Sequence, residues 1–150
     1  MKNHSIGAAA IALAAFCGAG ASPAGDFQIG NLSIAQPWSR PTPPVASSGV
    51  VYFSITNRGS RQDRLVAASS PAAKSAEIHE SRTVGGLMEM RQLAVLDCPP
   101  HATVKIEPGG VHVMLVGLRG PLAPGTDFPL TLRFATAGEL TVQVHVSERE

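Results

Sequence analysis

From Leu32 onward, apolar and polar residues alternate with a period of two, the spacing of half-buried strands, and helix-period stripes are nearly absent. The alternation is cleanest in Leu130-Thr131-Leu132-Arg133-Phe134 and in Thr141-Val142-Gln143-Val144-His145-Val146. It predicts strands over 32–35, 49–56, 64–68, 76–80, 86–93, 102–106, 112–116, 130–134 and 140–146. Turn-forming clusters separate them: Pro41-Thr42-Pro43-Pro44, Asn57-Arg58-Gly59-Ser60, Glu107-Pro108-Gly109-Gly110 and Ala123-Pro124-Gly125-Thr126-Asp127. Asp97-Cys98-Pro99-Pro100-His101 also reads as a loop. Short strands at this close, regular spacing predict an all-β fold, an antiparallel Greek-key β-sandwich. Neither an internal repeat nor a linker divides it, and Gly85-Gly86 reads as a loop within one domain.

The first residues break this pattern. Lys2 is followed by an apolar run from Ile6 to Phe16, and Ala19-Gly20-Ala21 offers a small-x-small cleavage site. The run is shorter than the ~20 residues that span a bilayer. Residues 1–21 are therefore expected to be a cleaved export signal, the cut falling as late as Ala24, with residues 22–150 as the mature domain. Phe16 stands where a lipoprotein signal needs a small residue before Cys17, which favours plain cleavage. Loss of Lys2 lowers the basic count from 12 to 11, equal to the 11 acidic residues. With no basic run and no second long apolar stretch, neither nucleic acid nor stable membrane insertion is expected. Loss of Cys17 leaves Cys98 without an intramolecular disulfide partner, and it is read as a partly buried small apolar residue.

Strand parity gathers the chemistry-bearing residues. His112 and Met114 are two apart in Val111-His112-Val113-Met114-Leu115-Val116 and share a face, with Val111, Val113 and Leu115 on the apolar face opposite. Met88 and Met90 share a face in the same way, and His79 closes the alternating run Ala76-Glu77-Ile78-His79-Glu80. Singly, each is explained by packing, since Met fills irregular cores well. Jointly they are not: Met88, Met90 and Met114 are the only methionines after the signal. His101 and His145 belong to no such cluster.

Almost no carboxylate joins this set, because Glu80 and Glu89 point away from their neighbours His79 and Met90. Zinc sites draw on Cys, His and carboxylates. Neutral imidazole and thioether donors instead favour a soft monovalent ion, Cu(I), over divalent competitors. The alternatives are an electron-transfer cupredoxin, which needs a thiolate in register, and a metal-free β-sandwich interaction module.

His79, Met90, His112 and Met114 spell H-x10-M-x21-H-x-M. With the flanking Ala35-Gln36-Pro37-Trp38-Ser39-Arg40-Pro41, Asp63-Arg64-Leu65-Val66, Glu77-Ile78-His79-Glu80, Gly109-Gly110-Val111-His112-Val113-Met114-Leu115 and Pro129-Leu130-Thr131-Leu132, nearly the whole mature chain resembles the PCu(A)C family of periplasmic copper chaperones. The resemblance implies a cupredoxin-like sandwich that is not an enzyme. It implies one Cu(I) held near the surface by His79, Met90, His112 and Met114; Met88 lies outside that motif and is read as a reserve or lining ligand. It also implies a monomer in the periplasm that delivers copper to the copper centre of a respiratory terminal oxidase, alongside a thiol-containing partner chaperone. The sequence closes on Ser147-Glu148-Arg149-Glu150, so the His- and Met-rich tail of some members, and its second copper site, are not expected.

Overall fold

Eleven strands run through residues 26–149, the part of the chain that the computed structural model describes. They are β1 (Phe27–Ile29), β2 (Leu32–Ser39), β3 (Ser48–Asn57), β4 (Asp63–Ser69), β5 (Ala73–Val84), β6 (Leu87–Gln92), β7 (Leu96–Cys98), β8 (Ala102–Ile106), β9 (Val111–Leu118), β10 (Asp127–Phe134) and β11 (Gly138–Val146). The export signal expected over residues 1–21, with its cut as late as residue 24, lies outside the described residues.

All nine predicted strands are present. Two short additions, β1 and β7, were not foreseen, because three residues cannot display an alternation. The second of these corrects the reading of Asp97 and Cys98 as loop. β5 runs well past Glu80 to Val84, so His79 lies inside a strand and not at its end. Its continuation pairs with β6 as a two-residue hairpin in which Val84 faces Leu87. The Gly85-Gly86 turn has φ of 58° and 80°, the left-handed pair that a type I′ turn requires.

Burial follows parity. Along β3 every second side chain is buried, placing Val51, Phe53 and Ile55 in the core. β10 contributes Leu130, Leu132 and Phe134, and β11 contributes Val142, Val144 and Val146. Full burial of each such side chain stabilises the fold by about 1.5–3 kcal/mol.

The strands form two layers. β2, β3, β9 and β5 pair in that order, with β1, β8 and β6 attached at β2, β3 and β5. β11, β10 and β4 form the facing layer, with β7 attached at β4. The layers join through thin seams: the single pair Ala68–Ala76 between β4 and β5, and two pairs between β2 and β11. The β2–β11 contact is parallel; all other pairings are antiparallel. Because β3 and β4 lie in different layers, as do β9 and β10, the chain crosses between sheets in the Greek-key manner.

One buried carboxylate fastens the end of the sandwich where β4 begins. Asp63 is 7% exposed and accepts hydrogen bonds from the backbone N–H groups of Arg64, Thr136 and Ala137 at 2.7–2.9 Å. It thereby ties β4 to the β10–β11 turn. Asp63→Ala strands these donors and is expected to lower stability by about 3 kcal/mol, read as a fall in the urea midpoint with an unchanged slope.

Candidate metal centre

The pairing of β5 with β9 builds the site. His79 faces His112 and Glu77 faces Met114, while between them Ile78 faces Val113 with both side chains in the core. Parity then puts Glu77, His79, His112 and Met114 on the outer face of one ladder. The two imidazole centroids lie 5.9 Å apart, at an interplanar angle of 47°. His112 is only 6% exposed and Met114 is half-buried.

Each ring has one nitrogen engaged. His112 Nδ1 donates to the Gly110 carbonyl at 3.2 Å, and that oxygen also accepts the Ser81 backbone N–H at 3.0 Å. His79 Nε2 lies 2.8 Å from Glu77 Oε2. His79 Nδ1 is buried and has no hydrogen-bond partner. Glu77 corrects the expectation that almost no carboxylate joins the cluster: Glu80 and Glu89 do turn away, to pair with Arg91 and Arg82, but Glu77 stands beside His79. Its position two residues before His79 in a strand was the signal that could have revealed it.

Met90 and Met88 approach from β6. Met90 faces Ser81 and Met88 faces Thr83, on the same sheet face as His79. The structure places Met114 and Met90 in the rows on either side of the His79–His112 row, Met114 on β9 and Met90 on the far side of β5. On a flat ladder Met90 and Met114 are each about 8 Å from His79 between α-carbons, in opposite diagonal directions. Among the described residues β6 pairs only with β5, and Met90 and Met88 are 55% and 72% exposed.

Tyr52 and Trp38 extend this face away from β6. Val50 faces Met114, so Tyr52 shares the same side of β3, and Trp38 faces Tyr52 with ring centroids 5.0 Å apart. The remaining histidines stand apart: His145 pairs with Asp127 across the β10–β11 ladder, and His101 occupies a turn with φ of 54°.

Among the described residues, no three His, Cys, Asp or Glu side chains converge as a metal site. Two imidazoles with thioethers alongside form a donor set suited to a soft monovalent ion. Cys98 is not part of it. The side chain is 1% exposed in the core on β7, beside Asp63, whereas the histidines lie on the outer face of β5 and β9.

The fold is a cupredoxin-like β-sandwich carrying a strip of soft donors on one outer face. The LpqE-like family model matches residues 32–146, and the chain belongs to that family. It is 32% identical over 124 residues to a candidate lipoprotein of Leifsonia xyli subsp. xyli, covering 81% of this chain and 72% of that protein. An uncharacterized protein of Rickettsia prowazekii (strain Madrid E) is 30% identical over 123 residues, covering 77% of this chain and 66% of that one. Among solved structures, the copper-bound PCuAC domain from PmoF2 superposes with a TM-score of 0.71 at 26% identity, covering 83% of this chain and 99% of that domain. The Cu(I) form of DR1885 from Deinococcus radiodurans gives a TM-score of 0.64 at 27% identity, covering 87% and 84%. These likenesses bear out the PCu(A)C resemblance read from the sequence.

Burial pushes the Cys98 thiol up from 9.0 to about 11; the Asp63 and Asp97 carboxylates add to the rise, and a backbone hydrogen bond at Leu65 opposes it. The unfolded chain therefore ionises first. The stability tied to this thiol is complete below pH 9 and is lost as pH climbs toward 11. At pH 8 an aromatic disulfide reagent is expected to leave Cys98 of the folded mature chain, residues 22–150, unlabelled and to react once with that chain unfolded in guanidinium.

Proposed function

We propose that this chain is an exported copper chaperone, a carrier and not an enzyme, that holds one Cu(I) through His79, Met90, His112 and Met114. Met88 lines the approach as a reserve ligand. The observation that carries the reading is the pair of imidazoles 5.9 Å apart on a face whose other soft donors are thioethers. Among the described residues no three His, Cys, Asp or Glu form a group that could hold a metal ion, so on this reading sulfur completes the coordination. The copper-bound PCuAC domain and the Cu(I) form of DR1885 among the structural relatives support the same cargo.

The geometry suits transfer. All four ligands are neutral, so Cu(I) binds and leaves without thiol deprotonation. His112 and Met114 sit on a strand fixed on both sides, between β5 and β3, whereas Met90 sits on the free-edged β6. Met90 closes over the ion by swinging in from this exposed hairpin, and an incoming ligand from the acceptor displaces it first.

Residues 1–21, or up to 24, act as the cleaved export signal, and residues 22–150 work in the periplasm as a monomer. The lipoprotein name of the Leifsonia relative supports export. On this reading the acceptor is the copper-centre subunit of a respiratory terminal oxidase, and a thiol-containing chaperone is the partner.

Titration against a chromophoric Cu(I) chelator is expected to give one Cu(I) per chain. His112→Ala and Met114→Ala should each weaken binding by roughly ten- to a hundredfold, about 1.4–2.8 kcal/mol. Full affinity after replacement of all four residues would overturn the assignment.

A further inference from the structure

Among the described residues, Glu77 is the charged side chain hydrogen-bonded to the imidazole pair, and it engages Nε2 of His79, leaving Nδ1 buried and unpartnered. We infer that Glu77 is a positioning residue: its carboxylate holds His79 in the Nε2–H form, so that His79 presents Nδ1 to the metal while His112 presents Nε2. The inference rests on the copper-carrier reading for its metal, but its proton placement stands on the protein alone.

The two neutral tautomers of His79 are unequal here. With the proton on Nε2, the ring donates to Glu77 Oε2 at 2.8 Å, a charge-assisted bond, and Nδ1 keeps a lone pair. With the proton on Nδ1, a buried N–H would have no acceptor, and the Nε2 lone pair would face a carboxylate. His112 is set the opposite way, because its Nδ1 faces the Gly110 carbonyl, a pure acceptor. Each ring is thus oriented by an oxygen behind it, the second layer of contacts that fixes tautomer and aim in metal-binding histidines.

This also accounts for a carboxylate within a soft donor strip. Glu77 lies directly across from Met114 on the same face of the ladder. Its oxygen is engaged on the far nitrogen of His79, so the carboxylate orients a ligand without becoming one. The donor set that meets the metal is thereby left as nitrogen and sulfur.

Two readouts test the assignment on the full mature chain. Long-range proton–nitrogen NMR of the copper-free protein is expected to show His79 protonated at Nε2 and His112 at Nδ1. Glu77→Ala should mix the His79 tautomers and weaken Cu(I) binding by roughly 10- to 100-fold, as loss of such a partner typically does. Glu77→Gln, whose amide oxygen still accepts from Nε2–H, should keep the tautomer and hold affinity within about threefold of wild type. Finding His79 protonated at Nδ1 in the wild type would overturn the inference. So would an Ala variant with unchanged tautomer and unchanged affinity. If wild type bound no Cu(I) but showed the expected tautomers, the copper reading would fall and the Glu77–His79 couple would stand.

Discussion

The register of β5 against β9 is the constraint on which the site depends. Ile78 and Val113 face each other inside the core, and so do Ala76 and Leu115 one step along. A slip of one residue would turn those apolar side chains to solvent and drive His79, Glu77 and Met114 inward. Core packing therefore holds the imidazole pair in place without any direct bond between the rings. The same packing makes the ladder costly to distort, because a close-packed interior has few alternative arrangements.

Against that rigid ladder, β6 stands out as the soft component. It has one partner strand, every side chain along it is exposed, and its two ion pairs, Arg82–Glu89 and Arg91–Glu80, join solvent-exposed side chains. Such pairs contribute only about 0–1 kcal/mol. The candidate face therefore combines two kinds of element: the doubly paired β5 and β9, carrying His79, His112 and Met114, and the exposed β6, carrying Met88 and Met90. On the proposed copper-carrier reading, that division serves both grip and release, since a ligand on the least anchored strand would exchange most readily.

Polar burial is distributed with the same logic. At the end where β4 begins, the Asp63 carboxylate is saturated by backbone donors, and Asn57 bridges the carbonyls of Arg61 and Cys98. These groups lock loops. On the outer face the structure tolerates an unpartnered buried nitrogen, His79 Nδ1, at a cost of about 1–3 kcal/mol. Among the described residues, His79 Nδ1 and Ser147 Oγ are the buried side-chain polar atoms left without a partner, and the His79 nitrogen is the one that lies in the donor strip.

Much of this was legible in the residue order. Alternation located nine of the strands, parity put His112 with Met114 and Met88 with Met90, and the His and Met cluster without a Cys in register pointed to soft-donor chemistry. These properties are local, set by the two-residue repeat of an extended chain. Only the tertiary structure decided the rest. It lengthened β5 past His79, drew Cys98 into the core on β7, paired His79 with His112 across 33 positions of sequence, and left Met90 on an open edge. It also set Glu77 against His79 and left Nδ1 free. The physical reason is that pairing partners and unsatisfied atoms are settled by how distant strands share one apolar core, and no local pattern of side chains carries that choice.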